Sequence, residues 1–354
     1  MGKSLKGSPH FDTNILFDLI FMTLVWWPVK CLLQMKSVCS IWRAKISDPL
    51  FIKAHLEKTN DLRRLRYIFH DPMKAMMRSI GLKDRDSRYE HTIPITDFSN
   101  HVEILGSLNG LLLLGDGECT YHLWNPSTRL LRKFSGPYIF RGQLRNFALG
   151  YDATTCAYKV VRIVRVTSIE YRKLKLPYRP CPYQNTYYDA TRAHMYNCKT
   201  NCWKKIQDFP YVIFKDAQGI TMNGYPHWVM LRDRQGRDDV VDFVIVYFDL
   251  VEEKFMEIPK PNWLIASSKF KFGVFKGQLC FIRYANPQSE IWVMPKHGES
   301  WIDFSSVTNI DSVLRHPGWD FRRVDDAADI NKAFVGAHYV ESLVSPYGGS
   351  DMVG

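Results

Sequence analysis

The side chains able to carry chemistry are spread through this chain without the spacing that chemistry needs. Cys198 and Cys202 form a C-x3-C pair, but a structural zinc takes four ligands, and no second Cys or His pair accompanies them closely. His122, His194 and His227 fall in strand-like segments. A general base must reach a defined proton, and the pattern reads these three as half-buried strand residues instead. Paired carboxylates on inner strands could do acid–base work of the glycosidase kind, yet no spacing in the sequence brings two together. No Walker loop, G-x-G-x-x-G, G-x-S-x-G, H-E-x-x-H or kinase set occurs. The chain therefore reads as a non-catalytic binding protein with no cofactor and no metal, and its chemistry as that of recognition.

Charge and composition bound the partners. The formal charge is +11 over 354 residues, and much of the excess lies between Arg129 and Lys175. A basic face favours an acidic partner; a solvated surface would read the same way. No RNA-binding motif accompanies the charge, so a protein target is expected and a nucleic acid is not. The eight cysteines are scattered, several in apolar runs, without a secretory signal. They read as reduced thiols of the cytoplasm or nucleus. ILFDLIFMTLVWW, from Ile15 to Trp27, is apolar but shorter than the ~20 residues of a span and carries Asp18. A core or partner-facing helix is expected there, and no membrane. Position 6 is lysine where a myristoylation site needs Ser or Thr.

Two kinds of element must display such surfaces. The first is helical. In PVKCLLQMKSVCSIWRAKISDPLFIKAHL (28–56), Pro28 suits a helix start because its missing N–H would be unpaired there anyway. Val29, Leu32, Leu33 and Lys36 follow at three- and four-residue steps, and Val38, Trp42 and Ile46 repeat the step in a second helix. Ser40 is the expected N-cap between them, and Asp48-Pro49 the expected stop. Helices this short bury a core only against each other, a third helix or a partner. A hairpin capping a larger domain and a docking module both fit the periodicity.

The second kind is β and begins near residue 101, after a charged connector over 57–100 in which RRLRYIF could form a strand. One unit recurs: YHLWNPSTRLLRKF (121–134), AHMYNCKTNCWKKI (193–206), VIVYFDLVEEKFMEI (244–258) and EIWVMPKHGESWIDF (290–304). Each is an apolar strand, a turn opened by Asn125, Asn197, Asp249 or Pro295, and a second strand. Asn and Asp bond back to backbone two residues on, which creates the turn. A glycine-led strand precedes the unit after Asn109-Gly110, Asn223-Gly224 and Gly277. Strand plus hairpin makes a blade-sized sheet, and its recurrence favours a β-propeller over a β-sandwich.

Both halves resemble one family. Pro28, Val29, Lys30, Leu32, Leu33, Lys36, Val38, Cys39, Trp42, Arg43, Ile46, Ser47, Asp48, Pro49, Phe51, His55 and Leu56 fit the second half of an F-box. The first half departs from it: Ile15-Leu16-Phe17-Asp18-Leu19 stands where members carry LPEDL. Downstream, GSLNGLLLL, LWNPSTR, LGYDATTCAYKVVRIV, FDL, EIWVM and the YVESLVSPYGGSD tail are similar to the F-box-associated domain of plant F-box/kelch-type proteins, a group that includes S-locus F-box receptors. The resemblance implies a mainly β protein: a helical F-box at 11–56, the connector, a β-propeller at 101–338 and a tail at 339–354.

It further implies the substrate-recognition subunit of an SCF-type ubiquitin ligase, docked on a Skp-type adaptor and through it a cullin, with a target protein held by the propeller. The implied adaptor-binding residues, taken collectively, are Leu16, Leu19, Pro28, Val29, Leu32, Leu33, Val38, Trp42 and Ile46. The target itself is unknown; its expected recognition loops are 135–147 and 168–192. A module whose drifted first helix no longer joins the ligase, and a propeller glycan-binding or hydrolase protein, remain as alternatives. Residues 305–338 are polar and show no clean strand pair, so the last blade is expected to be incomplete, with its edge open.

Overall fold

The computed structural model describes residues 20–58, 65–71, 76–81, 88–91, 102–116, 119–137, 145–167, 188–206, 209–213, 219–232, 242–265, 268–275, 277–285, 288–305, 319–322 and 336–347. Among them the strands form five sheets, arranged as the blades of a β-propeller, with a few helices at the N-terminal side.

The helices are α1 (Val29–Lys36), α2 (Ser40–Ser47) and α3 (Pro49–Lys58), preceded by helical residues 20–24. α1 opens where expected, with Pro28 presenting its carbonyl to the N–H of Cys31 and Leu32. The expected N-cap moves by one: Cys39 holds the extended cap position and Ser40 is already helical. Asp48 ends α2 in the extended conformation, and its carboxylate then accepts the Leu50 N–H at 2.7 Å. One Asp-Pro pair thus stops a helix and caps the next.

Blade 2 shows how the sequence builds a blade. It comprises β4 (Glu103–Leu108), β5 (Leu111–Gly115), β6 (Thr120–Trp124) and β7 (Leu131–Ser135), paired in order. Asn109 and Gly110 both take positive φ between β4 and β5, the two-residue turn whose twist matches antiparallel strands. Between β6 and β7 the Asn125 carboxamide accepts the Ser127 N–H at 2.8 Å, and four residues on Arg129 has positive φ. The same device recurs at Asp152/Cys156, Asn197/Asn201 and Asp249/Glu253.

Blade 3 is β8 (Arg145–Asp152), β9 (Ala157–Thr167), β10 (Tyr188–Asn197) and β11 (Cys202–Ile206). In blade 4, β12 (Tyr211–Ile213) and β13 (Ile220–Met222) share the inner edge of β14 (Tyr225–Arg232), which pairs β15 (Phe243–Asp249) and then β16 (Lys254–Ile258). Blade 5 is β17 (Phe270–Phe275), β18 (Gln278–Arg283), β19 (Glu290–Val293) and β20 (Ile302–Asp303), with β21 (Trp319–Arg322) on the free side of β17.

Core lies on both faces of the central strands, which is why they read as unbroken apolar runs. Val244, Val246 and Phe248 of β15 pack toward blade 3, whereas Phe243 and Ile245 pack toward blade 5. Tyr121 and Leu123 of β6 face blade 3, and Trp124 faces blade 1.

Two expectations fail together. The 57–100 segment supplies β1 (Leu65–Asp71), β2 (Met76–Gly81) and β3 (Arg88–His91) of blade 1, whose fourth strand is β22 (Gly336–Val340), paired antiparallel to β1. The supposed connector therefore contributes three strands to the propeller, and the tail expected from 339 begins inside a strand. The region 305–338 contains β21 and the start of β22, which pair with β17 and β1 and not with each other. Blade 5 has strands in all four positions. Pairing with distant partners leaves no hairpin signal to read.

Candidate docking surface and its attachment

The helical module has its own core: Leu24, Val25, Val29, Leu32, Ile46 and Phe51 are buried together. The residues expected to bind the adaptor divide accordingly. Val29, Leu32 and Ile46 are interior, Leu33 and Trp42 are half-buried, and Pro28 and Val38 are exposed. Leu16 and Leu19 lie outside the described residues. Periodicity groups residues on a face without saying which face looks inward, so interior and surface were merged in one set.

Sequence reasoning also passed over exposed apolar side chains on the same module: Met22, Trp26, Trp27, Ile41 and Leu50. Val38 and Leu50 are 73% and 74% exposed, which no folding term favours. Ile41 belongs to the i, i+3 series started by Val38, and this was the available signal.

The module is fastened to the propeller by the segment after β22. Leu343 enters the helical core, and its neighbour Val344 enters the core between blades 2 and 3. Ile52 and Leu56 of α3 lie against that propeller core as well. Asn125 donates from Nδ2 to the carbonyls of Ser342 (3.0 Å) and Val344 (2.8 Å), while Ser342 Oγ donates to Asn109 O at 2.7 Å. The Asn125 carboxamide thus forms its own turn with one atom and holds the distant segment with the other. A Cβ on Gly110 would lie 2.2 Å from Ser342 Oγ and 2.6 Å from Val340 O, so only glycine fits there.

These contacts all sit at one end of the blades, where the first-to-second and third-to-fourth strand turns emerge. Further bonds at this end link neighbouring blades. Asn109 Nδ2 donates to Tyr158 Oη (3.1 Å), Tyr151 N to Gly224 O (2.9 Å), and Lys159 Nζ to Leu250 O (2.5 Å). Lys159 is nearly buried and pairs with buried Asp152 at 3.1 Å. Burial pushes the Asp152 carboxyl up, but hydrogen bonds from Thr154, Thr155 and Lys159 outweigh it and hold the group below its ordinary range. Between blades 4 and 5, His227 Nε2 and His297 Nε2 share a hydrogen bond of 2.9 Å. Burial, with His297 beside it, lowers His227 to about 3.

At the opposite end of the blades lie Ser135, Arg145, Thr167, Tyr188 and Arg232, the strand ends that flank 138–144, 168–187 and 233–241, which are outside the described residues. Of the expected recognition loops 135–147 and 168–192, the described parts are 135–137, 145–147 and 188–192. No group of three or more His, Cys, Asp or Glu among the described residues could hold a metal ion. The described cysteines, Cys198 and Cys202 included, are free thiols. Among the described residues, no helix is long and apolar enough to cross a membrane.

The model of the F-box associated beta propeller domain matches residues 67–344. Three relatives from Arabidopsis thaliana are similar over most of the chain. "F-box protein At4g22390" is 25% identical, covering 80% of this chain and 71% of its own. "F-box/kelch-repeat protein At3g23880" is 23% identical over 88% and 83%, and "F-box protein At3g07870" 26% identical over 92% and 80%. Among solved structures, "Structure of YjhT" aligns with a TM-score of 0.36 and 12% identity, over 56% of this chain and 63% of that one, a likeness too distant to carry weight.

Proposed function

The chain belongs to the F-box-associated β-propeller family, and from that premise we propose that it is the substrate-recognition subunit of an SCF-type ubiquitin ligase. Its helical module docks on a Skp-type adaptor and through it a cullin, in the cytoplasm or nucleus. The propeller end away from the helices holds a target protein. The subunit does no bond chemistry itself. It raises the effective concentration of a target lysine near a conjugating enzyme carried elsewhere in the complex.

The observation that carries this reading is the apolar surface left by a module that already has a core. Val38, Ile41 and Leu50 are exposed, and an adaptor would remove them from water at about 25 cal/mol per Å². The test is co-purification with a purified Skp-type adaptor. Ile41→Glu with Leu50→Glu should abolish the complex while leaving the thermal transition of the free chain in place. Replacing Leu32 would be a poorer probe, because that side chain is fully buried. A wild-type chain that forms no complex at micromolar concentration would leave a binding module outside the ligase, and an intact complex in the double variant would remove the docking surface named here.

A further inference from the structure

We propose that Ser345 is a modification site for a proline-directed protein kinase, and that the phosphoryl group locks the segment that fastens the helical module to the propeller. Ser-Pro occurs twice in the chain, at Ser8 and Ser345. Ser8 lies outside the described residues. Ser345-Pro346 follows directly on Leu343 and Val344, the two side chains that enter the helical core and the core between blades 2 and 3. Residues 341–345 form neither helix nor strand, so no ladder has to break for a kinase cleft to take them up.

Burial decides when the hydroxyl can react. Ser345 is half-exposed, but Ser342, Leu343, Val344 and Pro346 around it are buried. A kinase grips residues on both sides of its target, so the seated segment is a poor substrate and the released one a good one. Release is local. It breaks the bonds of Asn125 to the Ser342 and Val344 carbonyls and that of Ser342 to Asn109, and it leaves the blades paired. In the reaction the Ser345 oxygen attacks the γ-phosphorus of ATP, the bond to the bridging oxygen breaks, ADP leaves, and the hydroxyl proton passes to the kinase's carboxylate base.

The seat of the segment decides what the phosphoryl group then does. Ser345 Oγ accepts the Tyr347 N–H at 3.2 Å. Tyr347 crosses the start of β7: its hydroxyl donates to Leu131 O at 2.6 Å, and its ring centroid is 5.7 Å from the Arg132 guanidinium carbon. The turn and strand there carry Arg129, Arg132 and Lys133, and the chain has no acidic residue from 119 to 151. The preceding carboxylate of the segment, Glu341, is turned to Arg66 at 3.5 Å. Phosphorylation places a dianion with three acceptor oxygens over this basic bed. Opposite arginines such a group orders a segment, whereas beside carboxylates it would release one. The modified Ser345 therefore favours the seated state over the released one in which it was made, and holds the helices to blades 2 and 3.

The site stands whether or not the helices dock on an adaptor, and two experiments test it. A purified mitogen-activated protein kinase with Mg-ATP is given the full chain and, separately, a peptide of residues 339–347, and the phosphate is located by mass spectrometry. The peptide should be modified at Ser345 at least about tenfold faster than the full chain, because a seated segment reacts only from its open population. Ser342→Ala, which removes the bond to Asn109, should bring the full chain toward the peptide's rate. In the second experiment phosphoserine is incorporated at position 345 during synthesis, so that no kinase is needed, and amide hydrogen exchange is followed over 341–344. Exchange there should be about tenfold slower than in the unmodified chain, the scale of one charge-assisted hydrogen bond. Arg129→Gln with Arg132→Gln should remove that difference. The proposal is overturned by a peptide or a Ser342→Ala chain left unmodified at Ser345, by exchange that is unchanged or faster with the phosphate in place, or by slowing that survives the loss of both arginines.

Discussion

Lys159 holds the seam between blades 3 and 4, and replacing it by methionine should be among the costliest single changes in the propeller. The ammonium contacts Leu250 O at 2.5 Å, Asp152 Oδ2 at 3.1 Å and Glu253 Oε1 at 3.6 Å, with 5% of the lysine side chain and 1% of the Asp152 side chain exposed. Methionine keeps most of the volume and removes the charge. Asp152 would remain buried with only the Thr154 and Thr155 donors, and the Leu250 carbonyl would lose this donor. Stranding one member of a buried pair costs about 3–5 kcal/mol. The retained threonine bonds place this case near the lower end, about 3 kcal/mol. At roughly 2–4 °C per kcal/mol for a domain of this size, the melting temperature should fall by about 6–12 °C. Calorimetry or urea denaturation of the single variant and of Lys159→Met with Asp152→Asn measures it. The double variant carries no stranded charge and should recover at least about 1 kcal/mol of the loss, the coupling that double-mutant cycles read between contacting groups. A single variant within about 0.5 kcal/mol of wild type, the range of ordinary surface changes, would refute the assignment.

Asp152 also predicts acid sensitivity. Its folded pKa is depressed, so its stabilisation is present above the unfolded value of about 3.9 and is lost as pH falls through and below it. His227, lowered to about 3, has the same sign. It folds neutral, so stability should decline as pH drops from about 6.5 toward 3, and His227→Gln should flatten that slope in melting curves taken across the range. Gly110→Ala would force a Cβ into Ser342 at a residue with φ +84°. It should cost at least the ~1 kcal/mol of the left-handed strain alone, and hydrogen exchange should show residues 341–344 released first. Leu343→Asp puts a charge into the helical core and should let limited proteolysis cut between helices and propeller while the propeller's own transition persists.

What could be read in advance was local. Asn125, Asn197 and Asp249 act on backbone two residues away, so the hairpins at 121–134, 193–206 and 244–258 were written where they fold. The Asn-Gly turns were legible for the same reason. Blade 1 was not, because β1 finds its partner some 270 residues away and neither strand carries a turn to announce the pairing. The helical face was half legible: three- and four-residue steps grouped Val29, Leu32 and Val38, but only the packed module separates buried Leu32 from exposed Val38. Lys159 and Arg162 looked like part of a solvated basic run, and both proved buried, since nothing local marks a cation that a neighbouring blade covers.

The pairing of Leu65 with Val340 makes the last part of the chain a condition for the first. During synthesis β1 emerges early, yet its inner neighbour leaves the ribosome only after every other blade. Closing a loop of that length costs about 5 kcal/mol in chain entropy beyond a constant, so blade 1 should form late. A product that stopped short of residue 336 would lack both this strand and Leu343, the side chain that enters the helical core. It would carry the helices without the part that fastens them, and an unpaired strand edge of the sort that recruits other chains. A molecule with β22 in place covers that edge of blade 1 and the helical core with one continuous segment, so the same few residues close the sheet and seat the helices.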